Sequence, residues 1–409
     1  MRLANNFLGR GLAGIQKEAR IPECEDQYGV HDSGSPRKLR REYALSSARA
    51  RHMNMSIESG GTTILRPLLS HTKDRLVATC EEASTGWVED HTNKDRSLTL
   101  RNTIRHLHEV DALPLALRRP NLCAIATRTS HRVAMQEARM DEIFRRFNIQ
   151  FDTRTGHAVC QINHQTVREI DTMHDRDHIR ASLLRRLLLL VVPTETMDLS
   201  TLETASSKFL HLDGEWHESR RSAPITAAGA TAVRLEDSKE NISYEIRRTP
   251  PPQNAKESRL AIEISLPLQM LQHDAKQVLW SDWKIWDQRY WIRIGSPAQF
   301  GVQTLDVVVR LLTPEDLSSL RQELPSGSFL RKELASIKGH LRTTLPVIVQ
   351  ILPDKRTRIV ALPSLDWSRH MWYSQVGKQD GRNARYYEIR YKHIDDSLTI
   401  PMRLKPNVS

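Results

Sequence analysis

The stretch Pro346-Val-Ile-Val-Gln-Ile-Leu352, followed by Pro353-Asp-Lys355 and then Arg358-Ile-Val-Ala-Leu362, gives the clearest structural pattern in the chain. Two apolar runs rich in β-branched residues flank a short polar turn that contains proline. This arrangement is typical of a β-hairpin. We therefore expect antiparallel β structure around residues 346–362.

Short runs with alternating apolar residues recur through the second half of the chain. The runs expected to form further strands are 233–236, 242–247, 260–266, 290–294, 304–312, 386–391 and 397–402. One helix is expected among them, over 314–324, because Thr313 is a good N-cap and Pro314 suits the first helical position. Many short strands at hairpin spacing predict a sandwich or a barrel.

The first half of the chain has mainly helical spacing of its apolar residues. Helices are expected over 98–110, 133–147 and 166–192, the last ending before Pro193. A short hairpin is expected over 149–163, around Thr155-Gly156.

These patterns together predict an α+β fold. We expect a basic, partly flexible N-terminal arm over residues 1–62 and a mainly helical domain over 63–200. An antiparallel β-rich domain, sandwich or barrel-like, is expected over 201–409. The boundary between the two domains is placed in the polar stretch 194–208.

The chain of 409 residues has a net charge of +11, and its 60 basic residues divide into 45 Arg and 15 Lys. Residues 1–200 carry +5 and residues 201–409 carry +6, so the charge does not form one polybasic tail. The longest apolar run, Leu187–Val192, is far shorter than the roughly 20 residues that cross a bilayer. The four cysteines form no C-x-x-C pair, which favours a reducing compartment.

Three regions combine basic residues in a way that suits nucleic-acid binding. The first is the arm, where Arg37, Lys38, Arg40 and Arg41 are clustered. Guanidinium groups bind phosphate in a planar, bidentate manner. We therefore expect this cluster to contact a phosphate backbone.

The second region is rich in tryptophan, with Lys284, Arg289 and Arg293 placed between the rings. On a strand, Arg289, Trp291 and Arg293 share one face, where Trp291 would stack on a base of single-stranded RNA. Two alternatives remain open: a tryptophan-rich core edge with arginine stems over the rings, and a protein–protein interface.

The third region lies near the C-terminus, where Arg382, Arg385 and Arg390 accompany Tyr387. A loop rich in glycine and basic residues precedes it, which suits phosphate contact. The alternative is an edge strand whose charges oppose aggregation.

No metal site and no cofactor are predicted. His174 and His178 are weak metal candidates because i, i+4 spacing on a helix would direct both rings to one ion; the alternative is a solvated polar face. Gly9-Arg-Gly-Leu-Ala-Gly14 fits G-x-G-x-x-G, but the strand and βαβ context that a dinucleotide site needs are missing. The sequence contains neither G-x-x-x-x-G-K-[ST] nor G-x-S-x-G, which disfavours an enzyme.

The leading hypothesis is therefore a non-enzymatic protein that binds RNA or another polyanion within an assembly. The assembly would contain other protein subunits, with homo-oligomers as one form. A viral structural, nucleocapsid-associated or movement-type protein fits this layout, located in the cytoplasm or the virion. The alternatives are a mitochondrial ribosome component, suggested by an Arg-rich apolar stripe in the first 20 residues, and a metal-dependent hydrolase that uses His174 and His178.

Overall fold

A computed structural model describes most of the chain. The described residues are 9–20, 56–57, 63–90, 92, 95, 97–192, 197, 199–211, 223–235, 238, 240–249, 261–267, 279–296, 304–369, 373–379 and 382–392. The chain divides into two compact units. The first comprises Met1–Pro22 and Thr62–Glu142, and the second comprises Glu23–Gly61 and Ile143–Ser409.

Helices are numbered in chain order. They are α1 Lys73–Glu82, α2 Leu100–Glu109, α3 Arg119–Arg145, α4 His164–Asp171, α5 Arg176–Val191, α6 Leu199–Ser206, α7 Pro314–Glu323, α8 Phe329–Ser336 and α9 Gly339–Arg342.

Strands are numbered in the same way. They are β1 Glu18–Arg20, β2 Ser56–Ile57, β3 Thr63–Leu65, β4 Asn148–Asp152, β5 His157–Asn163, β6 Ile225–Ala227, β7 Ala230–Arg234, β8 Asn241–Arg248, β9 Ile262–Pro267, β10 Leu279–Trp280, β11 Lys284–Trp286, β12 Tyr290–Ser296, β13 Thr304–Leu311, β14 Pro346–Ile351, β15 Thr357–Leu362, β16 Trp367–Ser368, β17 Tyr373–Gln379, β18 Arg382–Arg385 and β19 Tyr387–Tyr391.

The first unit is largely helical. Its helices α1 and α2 begin at threonines, because the hydroxyl of Thr72 accepts from the Arg75 amide and that of Thr99 accepts from the Asn102 amide. Strand β1 pairs antiparallel with β3. The expected helix over 98–110 is confirmed by α2, and that over 133–147 lies mostly within the longer α3.

One five-stranded sheet of the second unit has the order β4-β5-β8-β7-β6, with neighbouring strands antiparallel. The expected hairpin over 149–163 is confirmed by β4 and β5, and that over 233–247 by β7 and β8. The buried face of α5 adds Leu183, Leu187 and Leu190 to the core.

The expected single helix over 166–192 is wrong, because the chain turns between Thr172 and Asp175. Helix α4 ends at Asp171 and α5 begins at Arg176. The carboxylate of Asp171 pairs with the guanidinium of buried Arg180, which joins the two helices across this turn.

The second five-stranded sheet has the order β16-β15-β14-β13-β9. Its hairpin β14–β15 confirms the pattern read in 346–362, with a bulge between Ile348 and Val349. Helix α7 confirms the expected helix, and Thr313 forms a capping box with Asp316. Helices α7–α9 cover one face of this sheet, so the sandwich or barrel arrangement is not confirmed here.

A third sheet has the order β10-β12-β19-β2, and β11 also pairs with β12. Strands β12 and β19 are antiparallel, whereas β2 is parallel to β19. Helices combined with antiparallel sheets confirm the α+β class. The predicted arm is described only at residues 9–20 and 56–57, and its strand β2 joins this third sheet.

Candidate functional site

The arm residues predicted to bind phosphate, Arg37, Lys38, Arg40 and Arg41, lie outside the described residues. Arg382 and Arg385 are the first and last residues of β18, and their side chains are likewise outside the described part. The remaining predicted residues are Lys284, Arg289, Trp291, Arg293, Tyr387 and Arg390.

Three of these six side chains are buried. Arg289 is 0% exposed, Trp291 is 1% exposed and Tyr387 is 4% exposed. A base can stack only on a ring that solvent reaches. The prediction that Trp291 stacks on RNA with Arg289 beside it is therefore wrong, and the alternative of a tryptophan-rich core fits these two residues.

Arg289 is held by an ion pair with Asp287, which is also almost completely buried. A guanidinium nitrogen of Arg289 lies 2.7 Å from the Asp287 carboxylate, and the same carboxylate accepts from Arg248. Arg289 also donates to the carbonyl oxygens of Thr155 and Thr344, at 3.3 and 2.7 Å. Burial opposes the charged form, but Asp287 outweighs it and holds the pKa of Arg289 above its usual value. Arg289 thus joins three segments of the second unit.

Two buried tyrosines lie beside this ion pair. The hydroxyl of Tyr290 donates to the Thr153 carbonyl at 3.1 Å, and that of Tyr391 donates to the Leu190 carbonyl at 3.0 Å. Their rings meet edge to face, with centroids 5.2 Å apart. Burial raises the pKa of both phenols, so they stay protonated at neutral pH and act as donors within the core.

An accessible group of tryptophans and arginines lies on the third sheet and its flanking turn. The guanidinium carbon of Arg293 lies 4.7 Å from the centroid of the Trp280 ring and 4.8 Å from that of Trp283. The guanidinium carbon of Arg390 also lies over Trp283, 5.5 Å from the centroid of its ring. We call Trp280, Arg293, Trp283 and Arg390 the Trp–Arg ladder. All four side chains are half-buried, so each keeps a surface that solvent reaches.

Charged neighbours set the orientation of the ladder. Arg293 donates to the Glu388 carboxylate, with the closest nitrogen and oxygen 2.8 Å apart. Lys284 is exposed and its ammonium donates to the Glu263 carbonyl at 3.1 Å. Of the predicted set, the structure therefore brings together Arg293 and Arg390, on a surface built around rings other than Trp291. Lys284 pairs with Ile292 in the register of β11 and β12, which places its side chain on the opposite face of the sheet from Arg293.

The prediction of a metal site required His174 and His178 to lie on one helix, and the structure does not place them on one helix. His174 lies in the turn before α5, whereas His178 lies in the first turns of that helix. Both side chains are exposed. Among the described residues, no group of three or more His, Cys, Asp or Glu is arranged to hold a metal ion.

A polar loop before α2 was not singled out from the sequence. The buried amide of Asn102 donates to the carbonyls of Thr92 and Asp95, at 3.0 and 2.8 Å. The Asp90 carboxylate accepts from the hydroxyl and amide of Thr92, which holds the pKa of Asp90 below its usual value. Asp95 is bonded to Ser97 in the same way. In the sequence, this loop could have been recognised from its Asp, Asn and Thr residues, which are common in turns and stand directly before a helix.

The first unit exposes most of its large apolar side chains. These are Ile15, Leu65, Leu68, Leu69, Trp87, Val88, Leu98, Leu100, Val110, Leu115, Leu117, Ile125 and Met135. Among its described residues, only Asn102, Thr129 and Met140 are buried. An apolar surface of this extent is typical of a contact surface for another molecule or segment.

Comparison with known proteins gives a family match for a limited stretch of the chain. Residues 38–110 match the family ATP_bind_3, described as a PP-loop domain. Residues 62–110 of this stretch belong to the first unit and residues 38–61 to the second. The matched stretch includes β3, α1, the loop organised by Asn102 and α2.

Individual relatives are more specific. The chain is 24% identical over 309 residues to a probable tRNA(Ile)-lysidine synthase of Schizosaccharomyces pombe, covering 75% of this chain and 58% of that protein. It is 34% identical over 85 residues to the tRNA(Ile)-lysidine synthase of Serratia proteamaculans, covering 20% of this chain and 18% of that protein. For the enzyme of Vibrio parahaemolyticus the identity is 33% over 91 residues, with 22% and 20% covered. The chain thus spans little more than half of the first relative's length.

These matches correct the function inferred from composition. The prediction of a non-enzymatic viral structural, nucleocapsid-associated or movement-type protein, with its virion location, is wrong. The mitochondrial ribosome component and the metal-dependent hydrolase are set aside on the same finding. The relatives that match are tRNA(Ile)-lysidine synthases by name, and not viral structural proteins. Basic residues beside aromatic rings were interpreted as a packaging or assembly feature, although other proteins that bind RNA show the same composition.

The helices that the structure describes include none with the length and apolar character needed to span a membrane.

Proposed function

We propose that this chain acts in tRNA modification as an ATP-dependent enzyme of the lysidine synthase type, with tRNA and ATP as its substrates. The observation that carries the proposal is the match of 309 residues to the fission yeast protein. That match covers 75% of the chain, so it extends far beyond the PP-loop stretch at 38–110. Similarity to an unrelated ATP-binding protein would be confined to that stretch.

The ATP-handling part of the proposal belongs to residues 38–110. Within the described residues, this stretch holds a loop fixed by Asn102 on one side of α2. The two bonds from Asn102 hold Thr92 and Asp95 close to the start of α2, and contacts that are formed before a ligand binds lower the entropy cost of binding. We assign nucleotide binding to this stretch as a whole, since its family name supports ATP as the nucleotide.

The RNA-handling part includes the Trp–Arg ladder. Half-buried indole rings offer a face on which an unpaired base stacks, and the adjacent guanidinium groups bind phosphate. Arg390 extends the positive charge along the same surface. Unpaired bases are present in the loops of any tRNA, which makes a stacking surface useful to an enzyme that acts on one.

The remaining sequence-based expectations fit this function as further proposals. Arg37, Lys38, Arg40 and Arg41 would contact the phosphate backbone of the same tRNA, as would Arg382 and Arg385. The division at residues 62 and 200, and association with other subunits or with a second copy, stay predictions.

Titration of a tRNA transcript into the purified chain at several salt concentrations tests the RNA part. We expect log affinity to fall steeply with log salt concentration, because bound arginines displace counterions from phosphates. Trp283→Ala should weaken binding by about 1–3 kcal/mol, and Trp283→Phe, which keeps a ring, by much less. Phe329→Ala removes another exposed aromatic side chain and serves as the matched control.

Equal binding of tRNA and of duplex DNA of the same length would contradict a tRNA-specific function. Unchanged affinity of Trp283→Ala would remove the ladder from the RNA interface and leave the assignment of the enzyme class standing.

A further inference from the structure

A cavity of about 250 Å³ lies among helices α7, α8 and α9. Its lining includes three arginines, Arg321, Arg331 and Arg342, over an apolar floor to which Leu317 and Leu324 contribute. Both leucines are half-buried and pack against the core between these helices and the second five-stranded sheet. Arg321 is exposed and the other two guanidinium side chains are half-buried, so the cavity opens to solvent.

Two of the arginines are fixed in place by backbone carbonyls. Arg331 donates to the Leu324 carbonyl at 3.1 Å and to the Ser326 hydroxyl at 3.3 Å. Arg342 donates to the Ile337 carbonyl at 2.9 Å. Leu324 and Ile337 are the C-caps of α7 and α8. Each guanidinium has five N–H groups, so donors remain for a ligand after these bonds are made.

The charge of this group is not neutralised by neighbouring side chains. Within the part of the chain that the structure describes, no ion pair involves Arg321, Arg331 or Arg342. Two helix C-termini contribute roughly −0.5 charge each, about one unit against three full positive charges. The cavity therefore favours an anion, and its lining contains no carboxylate that would attract a cation.

The floor adds a second requirement for the ligand. Leu317 and Leu324 are half-buried and offer apolar surface beside the guanidinium groups. A free inorganic anion would leave this surface in contact with water. A nucleotide unit satisfies both parts, because its phosphate pairs with planar guanidinium groups and its base covers the leucines.

We propose that the three-arginine cavity binds one nucleotide of an RNA chain, with its phosphate on Arg321, Arg331 and Arg342 and its base over the leucine floor. This rests on the proposed function, which supplies RNA as the ligand. The cavity would give the enzyme a second RNA contact, separate in sequence from the Trp–Arg ladder.

Photocrosslinking of the full chain to a single-stranded hexaribonucleotide containing 4-thiouridine tests the proposal, with crosslinked peptides identified by mass spectrometry. We expect a crosslink within residues 314–342. Arg321→Glu should weaken binding of the oligonucleotide about tenfold and reduce the salt dependence, because it removes a phosphate contact and adds repulsion. Among the described residues, the side chain of Arg321 makes no hydrogen bond or ion pair and is exposed, so the folded state should tolerate this change.

Arg358→Glu is the matched control. Arg358 is exposed and follows the alternation of β15, which places it on the face opposite Ile359 and the helix core. Equal loss of affinity in both variants, or no loss in Arg321→Glu, would overturn the proposal, as would crosslinks confined to residues outside 314–342. If one of these contradicting results is obtained with a chain that still modifies tRNA, the cavity proposal fails and the proposed function stands. If the crosslink forms but tRNA is not modified, the cavity stands and the proposed function fails.

Discussion

Asp287 and Arg289, two residues apart in the turn between β11 and β12, form an ion pair whose closest atoms lie 2.7 Å apart and which solvent scarcely reaches. The Asp287 carboxylate accepts from Arg248 as well, with nitrogen and oxygen 2.8 Å apart. Two positive charges therefore share one buried negative charge. The segments that meet there include the β4–β5 turn, through Thr155, and the link between α9 and β14, through Thr344.

Asp287→Asn should be strongly destabilising, because it leaves two arginines near or inside the core without their counter-charge. Breaking a buried pair in this way costs about 3–5 kcal/mol. The free energy of unfolding from denaturant titration measures the effect. Arg356→Ala removes an exposed ion pair with Asp354 and should change stability little. Equal losses in the two variants would show that Asp287 has no special role.

Gly156→Ala should also destabilise the region around the Asp287–Arg289 ion pair. Gly156 has φ of +64°, and a Cβ atom there would lie 2.8 Å from a guanidinium nitrogen of Arg289. Positive φ strains an L-residue, and the crowding adds to it, so we expect a loss of roughly 1–3 kcal/mol. Gly327→Ala is the control, because nothing lies within 4 Å of the added atom. A Gly156→Ala variant as stable as the control would contradict this account.

Glu245 provides a pH-dependent contribution to stability. Its carboxylate is buried and lies 2.6 Å from the Lys338 ammonium and 3.1 Å from the Arg247 guanidinium. Burial alone would raise the pKa of Glu245, but Lys338, His340 and Arg247 outweigh it and lower the pKa below the ordinary 4.5. A lowered folded-state pKa means that the stabilisation is complete above about pH 4.5 and is lost as the pH falls through the folded value.

Lys338→Met should therefore lower stability by about 1–2 kcal/mol at pH 7, and the difference from wild type should shrink as Glu245 becomes protonated below pH 4.5. Denaturant titrations at a series of pH values measure this difference. Lys332→Met removes an exposed lysine from α8 and should show no such dependence. A Lys338→Met difference that is constant between pH 7 and pH 3 would exclude the coupling.

Asn102→Ala should loosen the loop before α2. The amide nitrogen makes two bonds to backbone carbonyls, and losing them leaves those acceptors without partners at a cost of about 1–3 kcal/mol. Hydrogen exchange at the amides of Asp95 and Ser97 should become faster. Asn121→Ala is the control, because that exposed side chain makes one bond, to the Leu115 carbonyl. Unchanged exchange in Asn102→Ala would show that the loop is held by other contacts.

Local sequence patterns predicted the second unit well. The hairpin β14–β15, the capped helix α7 and the hairpin β4–β5 all depend on turn residues and apolar spacing within about 20 residues, which act over short range. The pairing of β13 with β9 could not be predicted from local patterns, because a long connection separates these two strands along the chain.

At the candidate site, the main feature that the sequence pattern did not predict was the burial of Trp291 and Arg289. Alternation along β12 divides its residues correctly into two faces, but it does not reveal that both faces are covered. Asp287, two residues before Arg289, was the available sign, since a buried guanidinium needs a nearby counter-charge.

The match to PP-loop domains was not predictable from the motifs considered. The stretch 38–110 does not contain G-x-x-x-x-G-K-[ST], and its only adjacent glycines are Gly60 and Gly61. Two adjacent glycines occur in many turns, so they do not indicate a nucleotide-binding family by themselves.

Nucleoside analysis of tRNA tests the central claim most directly. An isoleucine tRNA transcript is incubated with the chain, ATP and isotopically labelled lysine, then digested and examined by mass spectrometry. We expect a labelled lysidine nucleoside that forms only when ATP is present. An unmodified transcript under these conditions, with tRNA bound and ATP supplied in excess, would contradict it.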